Sequence, residues 1–568
     1  MTEQFHQIIQ SWSSWNLWEQ FRFVQASPPE TGSIFGLAEY LASLALFLVV
    51  MTTSDFRYSY RLSLTRFDLR KVGLWIGLGV GVVILVTDVW FQNGFPVPKL
   101  LSNANNIKAV VGFVYLIFVF HVISVAVTRA PIFSRRNSGR FFGENYHLVH
   151  QGNPERLQIL AEELRWSIKS MVTIAAKPWS PGTEWAEDKP PQEKIYARDF
   201  LLLIGDRRFC NVVVDRVPAF AFACFLELQK HPNTALPIFQ FSRNIGQEFI
   251  RNTNSSFYQE DSGFYSGLVG YARPATKIIF GSYQFIERCA SDGESPIDTD
   301  YREFYRFNKT QMDGYTRAAL AFFESYLIHG KGRAFPHSYA LARMFESLKG
   351  ALSGVSRING KKEFSNLPEY GRLEAVVSFI RRAENLVNEH AAKPRSFRIS
   401  DPLNTDVYDD LAKLIFEAIL AATFVSSPEW TSWSVQHNAV WSDIFSFEDS
   451  PAHKIIKLKV RRLLYKEIKS IDSFANFKNA RILGYCLNIL GLTLPDRHHG
   501  YQKEFYPLHA AALQCAKRNF ARLLADQPRV AKACLIGSVT YDRANHRLVE
   551  TNENAIGKEP IHKFFDLD

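Results

Sequence analysis

The segment that decides the fold is residues 72–91, VGLWIGLGVGVVILVTDVWF, in which Asp88 is the only charged residue. The hydrocarbon core of a bilayer is about 30 Å thick and takes roughly 20 helical residues to cross. Residues 34–53 and 109–128 have the same length and apolar character. Because lipid offers no partner to backbone N–H and C=O groups, each segment is expected to be a helix. The sequence predicts a three-helix transmembrane region over residues 33–128, which packs as a small bundle or joins with copies of the chain.

Basic residues beside these segments predict their orientation. One side, made of the loop between the first two segments and the stretch after the third, holds Arg57, Arg61, Arg66, Arg70, Lys71, Arg129, Arg135, Arg136 and Arg140. The other side holds Arg22, Lys99 and Lys108. Since Lys and Arg are enriched in cytoplasmic loops, the N-terminus is expected outside and the chain after Arg129 in the cytoplasm. We therefore expect a multi-pass protein of the plasma (inner) membrane, with the lipid bilayer as a partner.

The composition excludes several other classes of protein. With 568 residues, 47% of them hydrophobic and 21% charged, the chain has enough to bury for two or three folded units. Its net charge of +10 is compatible with nucleic-acid binding. However, residues 1–143 hold 12 basic and 7 acidic residues, and the other 425 residues hold 54 basic and 49 acidic ones. Half of the excess thus lies beside the apolar segments, and nucleic acid is not an expected partner. Six scattered cysteines without a C-x-x-C pair argue against a zinc cluster or a dense disulfide framework.

Residues 1–32 are predicted to be an external tail. Phe5, Trp12, Trp15 and Trp18 recur at helical spacing, and tryptophan favours the membrane interface. We predict a helix over residues 3–24 that lies on the outer surface of the bilayer, with packing of the aromatic rings on the loop at 92–108 as the alternative.

Glycines in the second segment indicate a close helix contact. Gly73, Gly77 and Gly81 are four residues apart, so they share one helical face and let a neighbouring backbone approach. This face is expected to meet another span or a second copy of the chain, and we expect a homo-oligomer through the transmembrane region.

Three ionisable residues lie inside the segments: Glu39, Asp88 and His121. Such residues are costly in lipid and can mark an ion pathway or a proton relay. Glu39 and Asp88 lie within one or two turns of the outer ends and can reach water, and neutral histidine is the least costly of the three to bury. A pathway through three spans per chain would need an oligomer.

The rest of the chain divides into a basic juxtamembrane linker at 129–152, a mixed α/β cytoplasmic subdomain at 153–300 and a helical cytoplasmic subdomain at 301–568. The first of these subdomains starts with a helix at Asn153-Pro154-Glu155. Phe200–Ile204 and Cys210–Val214 are predicted as a hairpin or two short strands, and 217–228 as a buried helix. The overall class is mainly α with minor β hairpins.

The last 268 residues follow helical patterns. The predicted helices are 310–329, 338–352, 373–389, 408–424, 453–471, 475–492 and 506–525. A late hairpin is predicted around Arg543-Ala544-Asn545, followed by a mobile tail from Thr551.

The helix at 453–471 is strongly basic and amphipathic, and Lys454, Lys457, Arg461 and Arg462 make it a candidate membrane-surface helix. The default interpretation is a core helix with a solvated cationic face.

No short catalytic motif is found. The P-loop, H-E-x-x-H, G-x-S-x-G and kinase patterns are absent, which excludes the recognisable members of those enzyme classes. An acidic loop contains Asp298 and Asp300, whose D-x-D spacing can hold a divalent cation, although a solvated loop in which Asp300 caps the next helix is the stronger interpretation. The sequence leaves the cofactor unknown, and no metal is predicted beyond the weak candidates Asp298 and Asp300.

Three functions fit these features. The first is a non-enzymatic membrane sensor, scaffold or assembly protein whose cytoplasmic region binds a protein or a ligand. The second is an oligomeric pore or channel-type effector gated by that region. The third is a membrane-tethered, metal-dependent enzyme that uses the acidic loop.

Overall fold

The computed structural model describes most of the chain, with gaps. The described residues are 23–25, 36–52, 55–65, 67–99, 102–128, 131–178, 190–232, 234–260, 265–266, 270–271, 273–330, 338–390, 393–398, 405–445, 450–495, 500–552 and 560–567. The fold is mainly α, with 71% of residues in helices and small antiparallel sheets. Contacts divide the chain into two units, residues 1–203 and 204–568, which are described separately.

The first unit consists of eight described helices and a two-stranded ribbon. The strands are β1 (Phe23–Gln25) and β2 (Pro96–Pro98), and the helices are α1 (Leu37–Thr52), α2 (Phe56–Ser63), α3 (Leu69–Gln92), α4 (Ala104–Val127), α5 (Ser138–Gln151), α6 (Pro154–Leu164), α7 (Ile168–Ala176) and α8 (Gln192–Leu203).

Two described helices of this unit are long and apolar enough to cross a membrane, residues 71–92 of α3 and the whole of α4. The predicted helices at 72–91 and 109–128 are therefore confirmed. The first predicted segment contains α1, whose 16 residues extend about 24 Å at 1.5 Å per residue. The α1 helix falls short of the length that a span needs, and residues 26–35 before it lie outside the described part.

The apolar helices pack around aromatic side chains. Tyr40 of α1, Ile84 of α3 and Tyr115 of α4 are buried in one cluster, and Phe47 and Val122 are buried in a second. Most outward side chains of α3 and α4 are apolar, as at Trp75, Leu78, Phe113 and Phe120. The bundle therefore has an apolar inside and an apolar outside, as expected of helices whose solvent is lipid.

The external tail is described only at Phe23–Gln25. These residues form β1, which pairs antiparallel with β2, so the predicted helix over residues 3–24 is wrong at its C-terminal end. Residues Phe23–Gln25 are extended because they pair with the edge of the extended Pro96–Pro98 segment. The tryptophans at 12, 15 and 18 lie outside the described residues.

The second unit is built from helices, short 3-10 and π segments and small sheets. Its helices are α9 (Arg207–Arg216), α10 (Pro218–Gln229), α11 (Phe239–Arg251), α12 (Ser256–Gln259), α13 (Tyr283–Asp292), α14 (Tyr301–Phe304), α15 (Lys309–His329), α16 (Tyr339–Ala351), α17 (Pro368–Glu389), α18 (Val407–Ala422), α19 (Glu429–Trp433), α20 (Asp443–Phe445), α21 (Pro451–Ser470), α22 (Phe477–Leu490), α23 (Gly500–Asp526) and α24 (Pro528–Ala533).

The irregular helical segments are π at Thr276–Phe280 and Ser434–Ser442, and 3-10 at Val355–Ile358. The strands are β3 (Tyr265–Ser266), β4 (Gly270–Tyr271), β5 (Val539–Asp542), β6 (Arg547–Asn552) and β7 (Ile561–Asp566).

The predicted strands around Gly205 are wrong, because both segments are helical. Phe200–Leu203 forms the end of α8, Ile204 lies in the turn that follows, and Cys210–Val214 falls in α9. Asp206 caps α9, where its side chain accepts hydrogen bonds from the backbone N–H groups of Arg208 and Phe209 at 2.8 and 3.2 Å. Helix α10 confirms the predicted buried helix; α9 and α10 together have the length and hydropathy of a span but meet at a bend of 110°.

The helices predicted after residue 301 are confirmed, with ends that move by a few residues. Gly330 terminates α15 as expected, and capping boxes fix the starts of α15, α18 and α22. The late hairpin is confirmed as β5 and β6. The tail after Thr551 departs from the prediction, because Ile561–Asp566 forms β7 and pairs antiparallel with β6, with Arg547 stacked on Phe564 at 4.0 Å.

Candidate functional site

A densely hydrogen-bonded polar group of the first unit is Arg61, on α2, which lies in the chain between the apolar helices α1 and α3. Its guanidinium binds Glu163 of α6 in a bidentate pair, with Nε donating to Oε2 at 3.0 Å and Nη2 to Oε1 at 2.7 Å. Its Nη1 donates to the carbonyls of Ala126 and Val127 at 3.0 and 2.7 Å. One side chain therefore joins α2, the end of α4 and α6.

The physical reason for this contact lies in the last turn of α4. The final carbonyl groups of a helix have no intrahelical donor, and a cation is favoured at that end by the helix dipole. Arg61 is only 8% exposed and Glu163 4%. This buried pair is tolerated because the N–H groups of Arg61 that point to Glu163 and to the end of α4 all meet hydrogen-bond acceptors.

Neighbouring residues attach α2 to the helices that follow the apolar bundle. Arg57 pairs with Glu162, and its Nε lies 3.6 Å from Glu163. The hydroxyl of Tyr60 donates to Asn145 Oδ1 of α5 at 2.8 Å, and burial raises the pKa of Tyr60 well above its ordinary value. We call Arg57, Tyr60, Arg61, Asn145, Glu162 and Glu163 the junction.

Local signals position the junction. Asp55 caps α2 and accepts from the backbone N–H of Arg57 at 2.9 Å. Asn153 caps α6, as the sequence predicts, and accepts from Glu155 and Arg156 at 3.0 and 3.2 Å. Because Arg57 and Arg61 are four residues apart, they share one face of α2. The sequence signal that was missed is this basic pair together with the adjacent acids Glu162 and Glu163.

The glycine face of α3 packs against α1. A side chain at Gly73 would meet Phe47, one at Gly77 would lie 3.1 Å from Leu44, and one at Gly81 would lie 2.9 Å from Tyr40. The Tyr40 hydroxyl donates to the carbonyl of Gly77 at 2.5 Å. The three glycines thus allow an antiparallel contact within the chain.

Of the three intramembrane ionisable residues, Glu39 and Asp88 have Lys108 as a common charged neighbour, whereas His121 lies apart from them. Glu39 accepts from the backbone N–H of Gly36 at 2.8 Å, at the start of α1. Asp88 forms an ion pair with Lys108, which is 5% exposed. His121 is exposed on the outer face of α4.

The acidic loop borders an open cleft of about 1020 Å³ in the second unit. Asp298 pairs with Arg343 at 3.0 Å and accepts from the Ser295 backbone N–H at 2.7 Å. Asp300 caps α14 and accepts from the Arg302 backbone N–H at 3.0 Å. Both carboxylates therefore have structural partners, and among the described residues no group of three or more His, Cys, Asp or Glu side chains could hold a metal ion.

The basic helix α21 packs inside the second unit. Lys457 is buried beside Glu504, and Arg461 donates to the Glu504 carbonyl, with burial lowering the pKa of Arg461. Arg462 donates to the Phe397 carbonyl, whereas Lys454 is exposed. The charged groups of Lys457 and Arg461 thus contact other parts of the unit, which favours the core-helix interpretation, and the membrane-surface role stays a prediction.

Comparisons with protein-family models, with curated proteins and with solved structures found no match.

Proposed function

We propose that this chain is a multi-pass membrane protein whose cytoplasmic region works as a non-enzymatic sensor, scaffold or assembly protein. The observation that carries the proposal is Arg61, which binds the end of one apolar helix and the side chain of a polar helix that follows the bundle. Such a contact gives the polar helices a direct mechanical connection to the apolar ones. A signal or an assembly event on one side would then change the other.

The proposed orientation has the junction on the cytoplasmic side. The contact between Arg61 and Ala126 means that the basic loop after α1 and the basic stretch after α4 lie at the same end of the bundle. This agrees with the positive-inside rule, which counts both as cytoplasmic. The plasma (inner) membrane is the location that we propose.

The outer faces of α3 and α4 are proposed to contact lipid or a second copy of the chain. Leu74, Leu78, Val110, Phe113 and Ile117 are exposed and apolar. The glycine face is occupied by α1, so a homo-oligomer would use these outer faces instead.

Hydrogen exchange on the full chain in nanodiscs tests the coupling. Arg61→Met removes the donors to α4 and the partner of Glu163, so amide exchange is expected to rise both in the last turn of α4 and in α6. Arg57→Gln is the matched control for α4, because Arg57 is on the same face of α2 but its side chain is 38% exposed and its ion-pair partners are Glu162 and Glu163 of α6. Unchanged exchange in α4 of Arg61→Met would contradict the proposal.

Two further measurements on the same protein separate the other functions. An ion flux through liposomes that hold the pure chain would favour the pore. A metal-dependent turnover that Asp298→Ala and Asp300→Ala abolish would favour the enzyme. The proposal expects neither.

A further inference from the structure

A buried Glu–His pair lies in the second unit, away from the cleft beside the acidic loop. Glu384 of α17 and His453, in the first turn of α21, are each 5% exposed. His453 Nδ1 lies 3.1 Å from Glu384 Oε2. With Glu384 ionised, this geometry places the imidazole proton on Nδ1, because a carboxylate only accepts hydrogen bonds. The other imidazole nitrogen, Nε2, is then an acceptor.

Each member of the pair keeps one buried polar atom without a partner. Glu384 Oε1 and His453 Nε2 form no hydrogen bond with any described residue. An unsatisfied buried acceptor is costly, because it gives up its hydrogen bonds to water and gains none in return. Two such atoms on one pair therefore call for a donor that the described part of the chain does not supply.

The pair lines a cavity of about 210 Å³. A water molecule takes about 30 Å³ in the liquid, so the cavity has room for a molecule of several non-hydrogen atoms. Asp443, a half-buried carboxylate without a hydrogen-bond partner among the described residues, lines it too. The lining also includes Arg381, which carries a guanidinium group, and Ser450, which is the N-cap residue of α21.

These groups select a ligand by charge and by hydrogen bonding. Glu384, His453 and Asp443 offer acceptors, and an ammonium group has three N–H donors. Arg381 and the N-terminus of the 20-residue helix α21 favour an anionic oxygen. We propose that this cavity binds a small zwitterion with one ammonium and one carboxylate, such as an amino acid. The ammonium would donate to the Glu384–His453 pair and Asp443, and the carboxylate would lie toward Arg381.

Burial raises the pKa of Glu384, and its hydrogen bond with His453 opposes this shift. A bound ammonium would favour the ionised carboxylate further, because an adjacent opposite charge stabilises the charged form. The pair is therefore better satisfied with the ligand than without it.

Calorimetric titration of the full chain in detergent tests the proposal. The probes are L-serine and L-alanine as zwitterions, ethanolamine as an amine alone and acetate as an acid alone. We expect the zwitterions to bind most tightly, ethanolamine more weakly and acetate not at all. Acetate binding as tightly as serine, or no heat from any probe at millimolar concentration, would overturn the proposal.

Variants locate the binding. Asp443→Asn is expected to weaken serine binding about tenfold or more, since a hydrogen bond to a charged group is worth about 1.5–3 kcal/mol. Arg381→Gln should weaken serine but leave ethanolamine unchanged. Glu384→Gln should also weaken serine binding. If that variant fails to fold, the Asp443→Asn variant tests the site instead, because Asp443 is only half-buried. Glu346→Gln is the control, because Glu346 is an exposed carboxylate elsewhere in the unit. Serine affinity that is unchanged in Asp443→Asn and Arg381→Gln would overturn the site.

The binding test does not depend on the junction. Serine binding that responds to these variants would stand even if Arg61→Met left the exchange of α4 unchanged, and the reverse also holds.

Discussion

Glu163 and Glu162 are adjacent carboxylates whose environments differ. The Glu163 side chain is 4% exposed and that of Glu162 34%. Removing one partner of a buried ion pair costs about 3–5 kcal/mol, whereas an exposed pair is worth about 0–1 kcal/mol. Glu163→Gln is therefore expected to lower the thermal unfolding midpoint of the full chain in detergent much more than Glu162→Gln. Equal midpoints for the two variants would show that the Arg61 contact is not formed.

Only half of this contact could be predicted from the sequence. Arg61 is counted with the cytoplasmic basic residues, but the positive-inside rule counts charges and places no side chain. The partner, Glu163, is 102 residues away along the chain. Asn153 predicts where α6 starts, and the face that α6 presents depends on packing that no local pattern specifies. Local sequence patterns cannot predict the Glu384–His453 pair for the same reason.

Asp410 on α18 gives a prediction about pH. Burial raises its pKa from 3.8 to about 6, against the opposing effects of Lys413 and Lys349. Between these pH values the folded chain keeps a proton that the unfolded chain has released, so this residue lowers stability as the pH rises from about 4 to about 6. Asp410→Asn cannot ionise and should unfold at a higher temperature than the unmodified chain at neutral pH. The advantage should shrink at about pH 4, and an advantage that is independent of pH would contradict the assignment.

At the scale of elements, the contact between α1 and α3 depends on residues without side chains. Gly81 lies against Tyr40, whereas a side chain at Gly79 would meet nothing within 4 Å. Gly81→Leu is expected to push α1 away and to raise amide exchange along α1, because small residues let membrane helices approach closely. Gly79→Leu, on the same helix with the same added volume, should leave exchange in α1 unchanged. The same exchange in both variants would mean that the glycine face contacts something else.

The elements that the sequence predicts well are long and capped. Asn308, Asp406 and Asn476 each start a helix with a capping box, and a regular apolar stripe follows. Short apolar runs such as Cys210–Val214 fit a strand as well as a buried helix by periodicity alone. The formation of β7 also depends on tertiary structure, because this strand pairs with the edge of β6.

Asp206 distinguishes the helix from the hairpin. Its side chain accepts from two backbone N–H groups of α9, so Asp206→Ala should cost about 0.5–2 kcal/mol of stability. Asp206→Asn or Asp206→Ser should restore most of it, since both residues cap helices well. Chemical denaturation of the full chain measures the differences. A loss that neither Asn nor Ser restores would indicate a different role for Asp206.

At the scale of the whole molecule, the apolar helices α3 and α4, with α1 beside them, are proposed to be the part of the chain that lies in the membrane. Their length and hydropathy meet the requirement for a span, and residues 129–568 are proposed to lie in the cytoplasm. The contact of Arg61 with the carbonyl of Ala126 brings the basic loop after α1 to the C-terminal end of α4, which is the basic end of the bundle in the charge pattern.

Labelling of introduced cysteines tests this claim most directly. The six native cysteines are free and buried, so a membrane-impermeant maleimide in right-side-out vesicles should react with them little. We expect Ser102→Cys, on the exposed loop between α3 and α4, to be labelled, and Lys169→Cys, exposed on α7, to be labelled only after detergent is added. Labelling of Lys169→Cys in sealed vesicles, or recovery of the chain in the soluble fraction without detergent, would contradict it.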